Sequence, residues 1–104
     1  GQELPRADLA ASYQQAIVDS LCDKAIPAVL DSGLHTLCLA GGVSANRLLR
    51  SQMAALAEAN GITLYMPDIA LCTDNAAMIA SAAYYRRETA AALDLNAVPS
   101  LPLV

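Results

Sequence analysis

A chain of 104 residues is long enough for one domain or part of one, and too short to bury more than a modest core. Apolar residues make up 56% and mean hydropathy is +0.39, which is rich for a small soluble domain; much of the excess is alanine, a helix former, and the rest predicts apolar surface of the kind that marks an interface. A formal net charge of −4, a pI near 4.6 and the absence of any like-charge block or basic stripe give no support on composition alone for autonomous nucleic-acid binding, since Arg47, Arg50, Arg86 and Arg87 are the only paired basic residues.

The first predicted element is an amphipathic helix from about Asp8 to about Asp31. Its apolar stripe is Leu9, Tyr13, Ile17 and Leu21, extended by Ala16, Ala25 and Val29. Pro27 is expected to end or kink it, and Asp31-Ser32-Gly33 is a stop signal. Thr36 to Ala40 reads as a short, buried, parallel strand. It runs into Gly41-Gly42-Val43-Ser44, and a second helix is expected from roughly Asn46 to Glu58, with Leu49, Met53 and Leu56 on one face. Asn60-Gly61 closes that helix as a left-handed cap. A second strand follows at Ile62 to Met66, ended by Pro67, then a loop from Asp68 to Cys72. A third helix is expected to begin at Thr73-Asp74-Asn75, with Thr73 or Asp74 as N-cap, and to reach about Arg87. The tail from Thr89 to Val104, with Pro99 and Pro102, reads as irregular. The predicted fold class is therefore α/β, in the order α-β-α-β-α, with a small parallel sheet joined by a right-handed crossover. Two strands make a poor sheet alone, so part of the fold is expected outside this chain; Gly1 in place of an initiator methionine reads as a cloned fragment or a processed tag remnant.

Two segments carry possible chemistry. In Leu37 to Asn46 a strand ends in two glycines and passes into a helix. Glycine lets the backbone turn sharply and lets a ligand approach closely. Amides at a helix start favour an anion, and Asn46 has a side chain able to bond a sugar hydroxyl or base edge. The plainer reading of the same residues is a tight turn with Ser44 as N-cap. The second segment is Cys72-Thr73-Asp74-Asn75. Here an N-cap competes with a role for Asp74 as one hard oxygen ligand to a cation. One carboxylate is not a metal site, and the single histidine, His35, reads as a loop residue. Cys22 and Cys38 read as small core residues. Cys72 has no histidine beside it in sequence to make it a nucleophile. An odd number of cysteines without CxxC spacing fits reduced thiols of a cytoplasmic protein. Arg47 and Arg50, beside the glycine loop, are placed where they could meet a phosphate, but the plainer reading is a solvated helix face. No apolar run is long enough for a membrane span.

Taken together the two segments become specific. Leu39-Ala40-Gly41-Gly42-Val43-Ser44-Ala45-Asn46-Arg47-Leu48-Leu49-Arg50 resembles the GGVAAN-xx-LR signature of the TsaD family, formerly called O-sialoglycoprotein endopeptidases. Cys72-Thr73-Asp74-Asn75-Ala76-Ala77-Met78-Ile79-Ala80 matches that family's CTDNAAMIA segment. Ala11-Ser12-Tyr13-Gln14 is similar to its AASFQ-type helix, and Leu95-Asn96-Ala97-Val98-Pro99 to its C-terminus, so the resemblance covers nearly the whole chain.

The resemblance implies an actin-like, sugar-kinase-type fold of two lobes, of which residues 1–104 are the C-terminal part without the N-terminal lobe. It implies transfer of a threonylcarbamoyl group from threonylcarbamoyl-adenylate to an adenosine of tRNA. Gly41, Gly42, Val43, Ser44 and Asn46 would face the adenylate, and Asp74 would be one ligand of a divalent metal, iron or zinc. Implied partners of the intact protein are tRNA, a paralogous TsaB-type subunit and a TsaE-type ATPase, with no membrane. The chain departs from the family in lacking the HxxxH pair that supplies the other metal ligands, so the fragment is expected to be inactive alone. The third helix would also lose its partner lobe, leaving Met78, Ile79 and Ala82 exposed or paired with a second copy. Competing readings are a metal-dependent glycoprotease, a sugar-kinase-like lobe and a non-catalytic docking module. The CTDNAAMIA match disfavours the kinase, and the incomplete ligand set disfavours the protease.

Overall fold

The computed structural model describes residues 5–89, 96 and 100. It divides into two compact units, Gly1–Asp74 and Asn75–Val104. The first holds helix α1 (Arg6–Asp31), strand β1 (Thr36–Cys38), a 3-10 turn (Gly42–Ala45), helix α2 (Arg47–Ala59), strand β2 (Thr63–Tyr65) and a second 3-10 turn (Ile69–Leu71). The other holds helix α3 (Ala76–Tyr85) and a 3-10 turn (Arg87–Thr89). Beyond Thr89, the expected irregular tail lies outside the described residues, apart from Asn96 and Ser100.

Both strands of the first unit are launched by the same device. α1 ends with Ser32 as cap, Gly33 N donating to Leu30 O (3.0 Å) and Leu34 N to Val29 O (3.1 Å). α2 ends with Asn60 as cap, Gly61 N donating to Glu58 O (3.2 Å) and Ile62 N to Ala57 O (2.8 Å). These are paired Schellman closures, and they require the left-handed backbone that Gly33 (φ 65) and Gly61 (φ 67) supply. The chain leaves each closure extended. β1 and β2 then pair in parallel, with Thr36 opposite Thr63, Leu37 opposite Leu64 and Cys38 opposite Tyr65. Thr63 N→His35 O (2.8 Å) and Leu39 N→Tyr65 O (2.9 Å) extend the ladder at either end. Both strands are shorter than the expected Thr36–Ala40 and Ile62–Met66.

The core is Val18, Cys22, Ile26 and Val29 from α1, Leu49, Met53 and Ala57 from α2, and Ile62, with Leu37, Leu39 and Leu64 of the sheet leaning on it. Above it Gln15 Nε2 donates to Asp19 Oδ1 (2.7 Å) and Gln52 Oε1 (3.0 Å), while Gln52 Nε2 donates to Asp19 Oδ1 (2.8 Å). This small network fixes how the two helices face each other.

Three expectations about packing are corrected. The stripe Leu9, Tyr13, Ile17, Leu21 is exposed, at 53%, 71%, 39% and 40%; the buried row is 18, 22, 26, 29. α2, with 13 residues, can cover only half the length of α1, with 26, so the turns carrying Leu9 and Tyr13 have nothing in this unit to pack on. Of the two outcomes expected at Pro27, an end to the helix does not occur: α1 continues to Asp31. Its ring is on the exposed side, and Ile26 and Val29 are anchored in the core, so the helix passes through it. β1 is not a buried strand: Leu37 is half-buried while Thr36 and Cys38 are exposed, because helices cover one face of this two-stranded sheet.

Cys38 is therefore no core residue, whereas Cys22 and Cys72 are buried. Burial, with smaller help from Asp19 and Asp23, also pushes the Cys22 thiol above its ordinary range. Brief alkylation at neutral pH, read by peptide mass spectrometry, is expected to label Cys38 first and to leave Cys22 unlabelled until denaturant is added.

In the second unit Asn75 caps α3, its Oδ1 accepting from Met78 N (3.1 Å). This corrects the expected cap at Thr73 or Asp74. The helix has no buried side chain; Met78 and Ile79 are 48% and 72% exposed, and Ala82 is exposed with them. It ends at Tyr85 rather than near Arg87, with Tyr84 and Tyr85 edge to face at 5.3 Å and the Arg87 guanidinium 5.2 Å from the Tyr84 ring centre. No helix among the described residues is long and apolar enough to cross a membrane.

Candidate functional site

The glycine segment folds as a turn between β1 and α2. Gly41 has φ 85 and ψ 174, a conformation that essentially only glycine adopts. The 3-10 turn from Gly42 follows, with Ser44 N donating to Gly41 O (3.0 Å) and Asn46 N to Val43 O (3.0 Å). Ser44 is buried, and its Oγ donates to Gly41 O (2.6 Å). Asn46 is the N-cap of α2, its Oδ1 accepting from Leu48 N (2.9 Å) and Leu49 N (3.1 Å). This is the cap that the plainer sequence reading gave to Ser44. The hydroxyl is turned inward and braces the glycine turn, while the asparagine oxygen satisfies the helix start and leaves its Nδ2 as the group able to reach outward.

Gly41, Gly42 and Val43 are exposed. A Cβ built on Gly41 or Gly42 meets no atom within 4 Å, and Gly42 has no positive φ. The fold of this chain thus requires glycine at position 41 for its backbone, but at position 42 neither backbone nor space requires it. The amides of Gly42 and Val43 stand at the head of the turn, where no carbonyl three residues back lies within it, and neither donates to backbone elsewhere among the described residues.

Arg50, one turn into α2, reaches back over this segment. Its Nη1 donates to Ser44 O (3.1 Å) and lies 3.8 Å from Cys72 Sγ, and its Nη2 donates to Pro67 O (2.9 Å). Cys72 Sγ in turn donates to Asp68 O (3.5 Å). The half-buried guanidinium therefore joins the glycine turn to both ends of the loop 67–72, correcting the reading of Arg50 as a solvated helix residue. Two residues beyond Cys72, Asp74 is exposed and caps no helix.

A family model, TsaD: tRNA N6-adenosine threonylcarbamoyltransferase, matches residues 2–81. The chain belongs to the TsaD family. Relatives named tRNA N6-adenosine threonylcarbamoyltransferase include one from Fusobacterium nucleatum, 50% identical across 96% of this chain and 31% of its own length. One from Moorella thermoacetica is 47% identical across 99% and 31%, and one from Thermosynechococcus vestitus 48% identical across 98% and 30%. The chain thus spans about a third of the length of the curated relatives it matches.

Within this TsaD-family segment, the fold brings the glycine turn and the loop leading to Asp74 into one compact unit through Arg50. It does not bring a metal-ligand set together: among the described residues no group of three or more His, Cys, Asp or Glu could hold a metal ion. Asp74 offers a single exposed carboxylate, so the residues present do not by themselves fit a metal. Sequence reasoning set Arg50 beside the glycine loop but missed its hold on Ser44, Pro67 and Cys72. Its signal was present in its place eight residues beyond the glycine pair and in the polar loop carbonyls that follow β2, but only the closure of the parallel pair brings those carbonyls within reach.

Proposed function

We propose that this chain forms the adenylate side of a tRNA N6-adenosine threonylcarbamoyltransferase, as part of a longer protein with a two-lobe, actin-like fold. The supporting observation is Gly42, a glycine that the chain's own backbone and packing do not require, at the head of an exposed turn whose first two amides, those of Gly42 and Val43, donate to no backbone carbonyl among the described residues. A close-approaching ligand supplies the missing reason, and amides at a helix start suit the phosphate of an adenylate. In this reading Gly41, Gly42 and Val43 present main chain to the phosphate and Asn46 Nδ2 reaches a sugar hydroxyl or base edge. Ser44 acts from beneath by holding the Gly41 carbonyl.

The reaction then moves one acyl group. The carbonyl carbon of threonylcarbamoyl-adenylate loses its bond to the phosphate oxygen and gains one to N6 of a tRNA adenosine; AMP leaves and N6 gives up a proton. The contribution of these residues is to hold the adenylate so that this carbon faces the incoming amine. Asp74 would supply one oxygen to an iron or zinc ion whose other ligands lie outside the chain, and no step of the reaction is assigned to it. The TsaB-type subunit and the TsaE-type ATPase are partners of the intact protein in the same reading, with the tRNA bound largely by parts beyond this acidic segment.

The test is an amide-resolved NMR titration of the chain with AMP. Shifts centred on Gly41, Gly42 and Asn46 are expected. A well-dispersed spectrum in which these amides stay fixed would sink the reading of the turn as a preformed subsite.

A further inference from the structure

We infer that Arg50 is a positioning residue that couples the glycine turn to the loop 67–72 leading to Asp74, so that an adenylate seated on the first sets the position of the second. The inference rests on the adenylate reading of the glycine turn, and goes beyond it by linking two motifs that lie more than twenty residues apart in sequence. The geometry is specific. One guanidinium nitrogen, Nη1, serves both Ser44 O and Cys72 Sγ, and the other, Nη2, holds Pro67 O. Ser44 is at the same time the residue whose hydroxyl and amide both hold the Gly41 carbonyl. A shift of the glycine turn is thus passed from Gly41 through Ser44 to Arg50.

At the far side Arg50 meets both ends of one loop. Pro67 opens it after β2, and Cys72 closes it, with the thiol bonded back across the loop to Asp68 O (3.5 Å). Asp74 follows Cys72 by two residues. Because the guanidinium is planar, its donors keep fixed angles to one another, and movement of one partner changes the others. A lysine at this place has a single nitrogen and a shorter reach, and cannot hold all three acceptors. The remaining polar groups along this side of α2 do not duplicate the link. Asn46 Oδ1 is spent on Leu48 and Leu49, and Gln52 turns to α1. A residue serving only to staple a surface loop would need the two contacts to the loop. The third contact, to the ligand-side turn, makes Arg50 a coupler.

The experiment compares AMP titrations of the full chain, Arg50→Lys and Cys72→Ala by amide NMR. In the unaltered chain AMP is expected to shift Thr73 and Asp74 together with Gly41 and Gly42. In Arg50→Lys the shifts at Gly41 and Gly42 persist while those at Thr73 and Asp74 are lost. Cys72→Ala leaves the arginine in place but removes its sulfur partner, and is expected to weaken the response at Thr73 and Asp74 without changing that at Gly42. It therefore gives the answer even if Arg50→Lys does not fold. Responses at Thr73 and Asp74 that are unchanged in the variants, or already absent from the unaltered chain when Gly41 and Gly42 respond, overturn the coupling and leave the adenylate reading intact. Failure of Gly41 and Gly42 to respond in the unaltered chain is the separate result that removes the adenylate reading, and the coupling with it.

Discussion

Gly42→Ala is expected to weaken AMP binding by about tenfold to a hundredfold, since forcing one methyl into a filled contact costs roughly 1–3 kcal/mol, while thermal stability stays close to that of the unaltered chain. The stability half of this expectation follows from the open space around position 42 and its ordinary backbone. The binding half follows only if a ligand fills that space. Gly41→Ala should behave differently. At φ 85 and ψ 174 an alanine is strained by roughly 1–3 kcal/mol wherever the ligand is, so this variant loses stability as well as affinity. Melting curves and AMP titrations on the two variants check the contrast. Equal affinities for Gly42→Ala and the unaltered chain would mean that the second glycine serves something other than the adenylate.

Met53→Ala is expected to remove half or more of the stability of the first unit and to lower its urea midpoint sharply. Met53 is 1% exposed and sits between Leu49 and Ala57 on the face that α2 turns to Val18, Cys22 and Ile26. Truncating a buried methionine costs about 2–5 kcal/mol, against a total of about 5–15 kcal/mol for ordinary domains. A unit with so few core side chains belongs at the low end of that range. Met53→Leu, which keeps the volume, should cost less than about 1.5 kcal/mol. Urea unfolding followed by circular dichroism distinguishes them: a shared midpoint would show that the helix pair is not what holds this unit together. By contrast, Ile79→Ala in α3, where the side chain is 72% exposed, should leave that midpoint unmoved.

The lettering of the chain determined what depends on neighbours in sequence. The α-β-α-β-α order, the glycine closures at Gly33 and Gly61, the face of α2 carrying Leu49 and Met53, and the two family motifs follow from local backbone preference, helical period and residue identity. Tertiary structure decided what depends on which surfaces meet. The period of α1 allowed two apolar rows, and the shortness of α2 buried the one through Val18 and left Leu9 and Tyr13 outside. A strand of apolar letters became half-exposed because only one face of its sheet is covered. The helix caps fell to Asn46 and Asn75, because the turns before them placed those oxygens, and not those of Ser44 or Asp74, over the free amides. Arg50 looks like any polar helix residue until the parallel pairing of β1 and β2 carries Pro67 and Cys72 to its guanidinium, since a contact across that many residues is set by the fold and has no local signature.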